Sequence, residues 1–202
     1  MSDVYTVTCP RNDNVFIHLM AGHFISSSNH INYYIGTSDV KHNHAVSVDT
    51  AMLLSEYYNT NDISVDTVLC LYEIARPNML SPNPSQSVYT VGSEYDAAGN
   101  LIFRDNLRRM INGKNVVVLI SCITSGRTVE RAIESVQYYG GNVVGISSVF
   151  SAKKEISGLP VNTIFSTDDV PGYAAYPAHD CPLCREGKTV DAISNGYGYS
   201  KL

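Results

Sequence analysis

Residues 115–150, NVVVLISCITSGRTVERAIESVQYYGGNVVGISSVF, decide the fold. Residues 115–121 form an apolar run rich in β-branched side chains, short enough for a strand buried on both faces. A turn follows at 124–128. Val129, Ala132, Ile133 and Val136 then recur at helical spacing, which gives the next segment one apolar face. Gly140 and Gly141 end that helix, because glycine takes the left-handed C-cap conformation at little cost. Residues 143–150 read as a second buried strand. A strand, a helix and a strand in this order predict a parallel pair with a right-handed crossover. The 124–128 loop then falls at the carboxyl edge of the sheet, where open α/β sheets bind ligands.

That loop holds three hydroxyls, a glycine and an arginine in five residues: Thr124, Ser125, Gly126, Arg127 and Thr128. Glycine lets the backbone approach an anion closely, and the following helix offers free N–H groups and a positive dipole end. The same residues also suit an ordinary hydroxyl-rich helix cap. The stretch resembles the phosphoribosyl-diphosphate (PRPP) motif of type I phosphoribosyltransferases, in which a hydrophobic strand runs into a Thr-Thr-Gly-x-Thr loop that holds the 5-phosphate. The resemblance implies that Thr124 to Thr128 hold that phosphate. It departs at the strand end, where the family carries two adjacent ribose-binding acids and this chain carries Ile120 and Ser121. Ser121 is the candidate ribose contact.

The rest of the chain is consistent with one domain over 1–202, in which the resemblance implies a small N-terminal hood (1–40) and a C-terminal tail (171–202). With 44% hydrophobic and 16% charged residues the composition is that of a globular protein. A net charge of −5 argues against a general nucleic-acid binder. No apolar run approaches the ~20 residues that span a bilayer. The N-terminus has no basic start followed by an apolar core, so no signal peptide is expected. Five cysteines without an export signal suggest reduced thiols in a cytoplasm.

Along the chain, 4–8 is β-like, and 15–20 is open between a helix and an edge strand. Residues 22–35, GHFISSSNHINYYI, read as a hairpin about a Ser/Asn turn. They resemble the N-terminal segment of orotate phosphoribosyltransferases, where Gly-x-Phe, a Ser-Gly turn and an aromatic pair line the pyrimidine site. That implies base-binding roles for Phe24, Tyr33 and Tyr34. Ser26 and Ser28 replace the family's lysine and turn glycine. His42 and His44 do not share a helical face at their spacing, so they read as the solvated start of a helix over 45–59. A buried strand is expected at 63–71. The family's pyrophosphate loop comes next and is glycine-rich. Here Glu73, Ile74, Ala75 and Arg76 stand there without a glycine. A long Pro-containing connection leads to a strand at 87–91. Residues 93–106 take the place of the family's mobile catalytic loop and lack its lysine and histidine, with Arg104 their only base. Arg108, Arg109 and Lys114 form either an anion-attracting patch or a solvated basic turn.

After a polar loop at 151–160 and a strand at 161–165, residues 166–170 have the hydroxyl and acidic residues of a helix start. This too resembles the orotate enzymes. In the tail, Cys181 and Cys184 flank a proline and can turn both thiolates toward one zinc ion. His179 and Cys9 are the nearest further ligands by type. The alternative is a proline turn with two reduced thiols. Residues 196–202 dock either on the body or on a partner subunit.

The fold class expected is therefore α/β, a type I phosphoribosyltransferase-like parallel sheet flanked by helices with an N-terminal hood. The function implied is that of a glycosyltransferase-class orotate phosphoribosyltransferase, which moves phosphoribose from Mg²⁺-bound PRPP to a pyrimidine-type base in nucleotide biosynthesis or salvage. A homodimer in the cytoplasm is implied with it, without nucleic-acid or membrane partners. No catalytic side chain can be named. The alternative is a catalytically impaired relative that senses a nucleotide or phosphoribose.

Overall fold

The computed structural model describes residues 4–26, 29–72 and 87–202. Three strands open the chain: β1 (Val4–Cys9), β2 (Asn12–Ile25) and β3 (Asn29–Gly36). β1 and β3 pair antiparallel with β2. Strand wins over helix at 15–20. Buried Val15, Ile17 and Leu19 alternate there with half-buried Phe16 and His18, the period of two that a strand imposes. The β2–β3 ladder is interrupted once. Ala21 faces Tyr33 and Phe24 faces Ile31, so Gly22 and His23 together oppose Asn32. This β-bulge breaks the alternation and allows the consecutive residues His23 and Phe24 both to be buried.

Two helices follow, α1 (Ser38–His42) and α2 (His44–Thr60). Asn43 caps α2, its side-chain oxygen accepting from the N–H groups of Ala45 and Val46. His42 and His44 are exposed at the junction. β4 (Thr67–Cys70) is shorter than the strand expected over 63–71. Asp62 turns the chain with a φ of 52°, and the Ile63 N–H donates back to the Tyr58 carbonyl, which delays the strand. β5 (Tyr89–Gly92), a small hairpin of β6 (Glu94–Tyr95) and β7 (Leu101–Ile102), and the single turn α3 (Asp105–Arg108) lead into the deciding unit. That unit is β8 (Asn115–Ile123), α4 (Arg127–Tyr138) and β9 (Asn142–Ser151), with β8 and β9 parallel.

β10 (Glu155–Ile156) and β11 (Leu159–Ser166) form a hairpin inside what the sequence presents as a polar loop and a shorter strand. Ser157 and Gly158 turn it, with φ values of 51° and 79°, and two positive φ values are what a two-residue hairpin turn demands. The expected helix after residue 166 is a single 3-10 turn, Thr167–Asp169, with a capping box between Ser166 and Asp169. The tail contributes β12 (Ala175–Pro177), the short α5 (Pro182–Arg185), β13 (Ala192–Asn195) and β14 (Gly198–Lys201).

These strands make two main sheets. The central one has the order β10-β11-β9-β8-β4-β5, parallel except for β10. Both faces are covered, which explains the unbroken apolar runs. Leu69, Val116, Val118 and Ile120 pack with Val129, Ala132, Ile133 and Val136 of α4. Val68, Cys70, Leu119 and Phe150 pack with Val46, Ala51 and Leu54 of α2. Each such aliphatic side chain contributes about 1.5–3 kcal/mol when fully buried. The second sheet, β12-β3-β2-β13-β14 with β1 also on β2, is the hood. The tail is woven into it, since β13 runs parallel to β2 with Ala192 beside Phe24 and Ile193 beside Ile25. Among the described residues no helix is long and apolar enough to cross a membrane.

Candidate functional site

A cavity of about 170 Å³ lies at the carboxyl end of β8, between the central sheet and the hood. Its floor is the predicted cradle: Ser121, Thr124, Ser125, Gly126 and Thr128 all line it. Gly126 has a φ of 89°, and a Cβ there would lie 3.1 Å from Ile156 Cδ1, so both conformation and space call for glycine. Gly126 is also the N-cap residue of α4, and no side chain caps that end. The first N–H groups of the helix therefore stay available to a ligand or to water. Arg127, placed in the cradle by the motif, does not line the cavity. It is exposed as the first residue of α4.

The strand end carries no charge. Ile120 and the buried Ser121 line the cavity where the family's acids stand, and no carboxylate lines it among the described residues. A protein-held Mg²⁺ needs carboxylate oxygens, so this donor set does not suit one.

The three aromatics proposed for the base separate. Tyr34 lines the cavity. Phe24 is fully buried behind it, with ring centroids 5.9 Å apart, and Tyr199 closes the group at 4.8 Å from Tyr34. Tyr33 points to the other face of β3 and meets Tyr5 edge-on at 6.4 Å. Tyr33 does not line the cavity. The base-facing role implied for Tyr33 is therefore corrected, and Phe24 supports Tyr34 from behind.

Helix α1 adds a residue that no motif signalled. Lys41, near the end of α1, lines the cavity and is the only charged residue among the described ones that do. Its ammonium donates to the Gly196 carbonyl. Its neighbours stay neutral. Burial pushes the Cys122 thiol up to about 12 against the opposing charge of Lys41. Burial, helped by Cys122 and Tyr199, pushes the Tyr34 phenol up to about 12.

The far wall is Ser194, Asn195 and Gly196 from the tail, with Tyr72. Tyr72 has a φ of 55°, a conformation costing about 1–3 kcal/mol for such a residue. It stacks on Tyr95 with centroids 5.9 Å apart and meets Tyr197 edge-on at 5.7 Å. Its ring lies against Gly196, where no Cβ would fit. Glu73, Ile74, Ala75 and Arg76 lie outside the described residues. Arg104 is paired with Glu94, whose carboxyl it holds below the usual range. Arg108 pairs with Asp105 at 3.2 Å and lies over the Tyr139 ring. None of Arg104, Arg108, Arg109 and Lys114 lines the cavity.

Cys181 and Cys184 do converge with two further metal-ligating side chains, but these are His23 and His30. Cys9 ends β1 and is buried in the core, and His179 is exposed. The missed signal was a histidine on each arm of the β2–β3 hairpin.

No protein-family model matches the chain. It is similar to the orotate phosphoribosyltransferase of Thermus thermophilus, 29% identical over 104 residues, which cover 50% of this chain and 54% of that one. To the orotate phosphoribosyltransferase of Thermotoga maritima it is 34% identical over 77 residues, covering 37% and 39%. The matched segment thus spans about half, or less, of the length of these curated relatives. Among solved structures, the orotate phosphoribosyltransferase of Mycobacterium tuberculosis superposes with a TM-score of 0.54 at 21% identity, over 76% of this chain and 91% of that one. Parallel sheet, hood and cradle together define a protein of the type I phosphoribosyltransferase fold. Within that fold, the segments that match in sequence are those of orotate phosphoribosyltransferases.

Proposed function

We propose that the cavity binds PRPP and that the protein transfers its phosphoribose to a pyrimidine-type base. The observation that carries this is the joining, in one cavity, of the Thr-Ser-Gly cradle, the uncapped start of α4, the ammonium of Lys41 and the face of Tyr34. The cradle hydroxyls and N–H groups would hold the 5-phosphate. Ser121 would meet the ribose. Tyr34 would lie against the flat base. Lys41 would draw the diphosphate. A ring nitrogen of the base bonds to ribose C1 as the C1–O bond to pyrophosphate breaks, and the proton that this nitrogen gives up passes to the departing pyrophosphate or to solvent. Catalysis of such a step rests on positioning and on stabilising the developing charges. Mg²⁺ would arrive with the diphosphate as part of the substrate. A homodimer in a reducing cytoplasm is the assembly and setting proposed with this activity.

The test is calorimetric titration with PRPP and Mg²⁺, followed by a pyrophosphate-release assay with orotate. Binding with base-dependent release supports the transferase reading. Binding without release for any pyrimidine overturns transfer and leaves a phosphoribose-binding protein. No heat at millimolar PRPP overturns the ligand itself.

A further inference from the structure

We propose that His23, His30, Cys181 and Cys184 form a closed tetrahedral zinc site that pins the C-terminal tail to the hood. The four ligand atoms all lie within 4.8 Å of one another. His23 Nε2 is 2.9 Å from His30 Nδ1 and 3.6 Å from each of the two sulfurs. Cys184 Sγ is 3.3 Å from His30 Nδ1. With Zn–N near 2.0–2.1 Å and Zn–S near 2.3 Å, tetrahedral ligands sit roughly 3.3–3.8 Å apart. The cluster is close to that size as it stands.

Hydrogen bonding alone does not explain the convergence. His23 Nδ1 lies 3.0 Å from the Lys188 carbonyl oxygen, which can only accept. Nδ1 therefore carries the ring proton, and Nε2 turns a lone pair inward. One lone pair serves one donor, yet three groups crowd it. A single cation with an affinity for nitrogen and sulfur serves all four. Two imidazoles and two thiols without a carboxylate select zinc over magnesium or calcium.

Each ligand is set by its own local device. The bulge at Gly22 and His23 turns the His23 ring inward. The His23 N–H donates to Asp191 Oδ2 at 2.8 Å, which ties the bulge to the tail. Ser26 Oγ donates to the Asn29 carbonyl and accepts from the Asn29 N–H, which holds the ends of β2 and β3 together and sets His30 beside His23. Pro182 opens α5 and brings Cys184 back over Cys181. His23, His30 and Cys181 are buried.

Four protein ligands leave no open position, so the role is structural. The segment after Cys184 leads into β13, which supplies Ser194 and Asn195 to the cavity wall. Zinc there would hold that wall in place. The inference concerns the metal and stands whatever the cavity binds.

The experiment is elemental analysis of the full chain, purified without chelators, with cobalt substitution alongside it. About one zinc per chain is expected. The cobalt form should show the intense visible bands of a tetrahedral ion and a thiolate charge-transfer band in the near ultraviolet. His179→Ala should keep the zinc, and Cys184→Ser should lose it or bind it far more weakly. Should Cys184→Ser not fold, the spectra of wild-type protein decide alone. Folded wild-type protein without zinc, with Cys181 and Cys184 as a disulfide or as freely reactive thiols, overturns the proposal. So does a cobalt spectrum without the thiolate band.

Discussion

The two sides of the cavity are built in opposite ways. The floor is one contiguous stretch, from Ile120 to Val129, in which a buried strand, a left-handed glycine and a helix start follow one another. The other side is assembled from Tyr34 on a hood strand, Lys41 on a short helix, Tyr72 past β4 and Ser194 to Gly196 in the tail. The floor needs only local chemistry to take its shape. The assembled side needs a bulge, a parallel pairing between distant strands and the histidine–cysteine cluster. The difference teaches where binding strength and where specificity can be altered separately.

The largest effect belongs to the floor. Gly126→Val puts a β-branched side chain at a φ of 89° and against Ile156. PRPP or phosphate affinity should fall on the order of 100-fold, because displacing the anion forfeits charge-assisted hydrogen bonds of about 1.5–3 kcal/mol each. Calorimetric titration measures it, with circular dichroism confirming the fold. Unchanged affinity would show that the contiguous side is not the binding side.

The assembled side comes next. Lys41→Met removes the cavity's charged group while keeping most of its unbranched stem. A hydrogen bond to a charged group contributes about 1.5–3 kcal/mol, so anion affinity should fall about tenfold or more. The Lys41 ammonium also holds the Gly196 carbonyl, so this variant tests whether the tail wall and the ligand site act together. A loss confined to stability, with affinity intact, would separate them.

What the sequence reveals divides along the same line. β8, α4 and β9 are legible because periodicity and glycine punctuation are local signals. The hood is less so. At 15–20 a run of five apolar residues interrupted by His18 fits a strand or a helix until its neighbours are known. At Gly22 and His23 the bulge removes the alternation that would mark the strand. The pairing of Ala192 with Phe24 joins residues at opposite ends of the chain, and no local pattern encodes it. Cys181 and Cys184 advertise a metal knuckle by spacing alone. Their partners are settled by the hairpin and by the docking of the tail, so Cys9 and His179 looked equally suitable. Lys41 was invisible for the same reason, since a lysine near a helix end is ordinary until the tail folds over it.

A third, smaller effect compares a core thiol with one at the cavity wall. Cys70 is in the core and Cys122 faces the cavity, and burial pushes both up to about 12 from an ordinary value of 9.0. The folded state keeps these protons while the unfolded chain loses them. Stability is therefore fully present below the unfolded value and falls as pH rises through the interval toward the folded one. Between about pH 8 and about pH 10 each thiol should cost on the order of 1 kcal/mol. Melting curves across that range check it. Cys122→Ala should remove part of the slope, and an unchanged slope would mean that the cavity side is wet enough to leave this thiol unperturbed.

The smallest effect is the sharpest test of the comparison. The motif alone ranks Arg127 beside Thr128 as a phosphate contact, and a positive charge at the start of a helix looks suited to that task. The structure sets it outside the cavity and exposed, while Thr128, one residue later, lines the floor. An exposed charge interacts through water and contributes about 0–1 kcal/mol. Arg127→Ala should therefore change PRPP affinity by less than about fivefold, and most of that change should vanish in high salt because the charge acts only at a distance. Thr128→Ala should cost more and persist in salt. If the two variants trade places, the guanidinium folds back over the ligand, and the floor is no longer the self-contained half of the site.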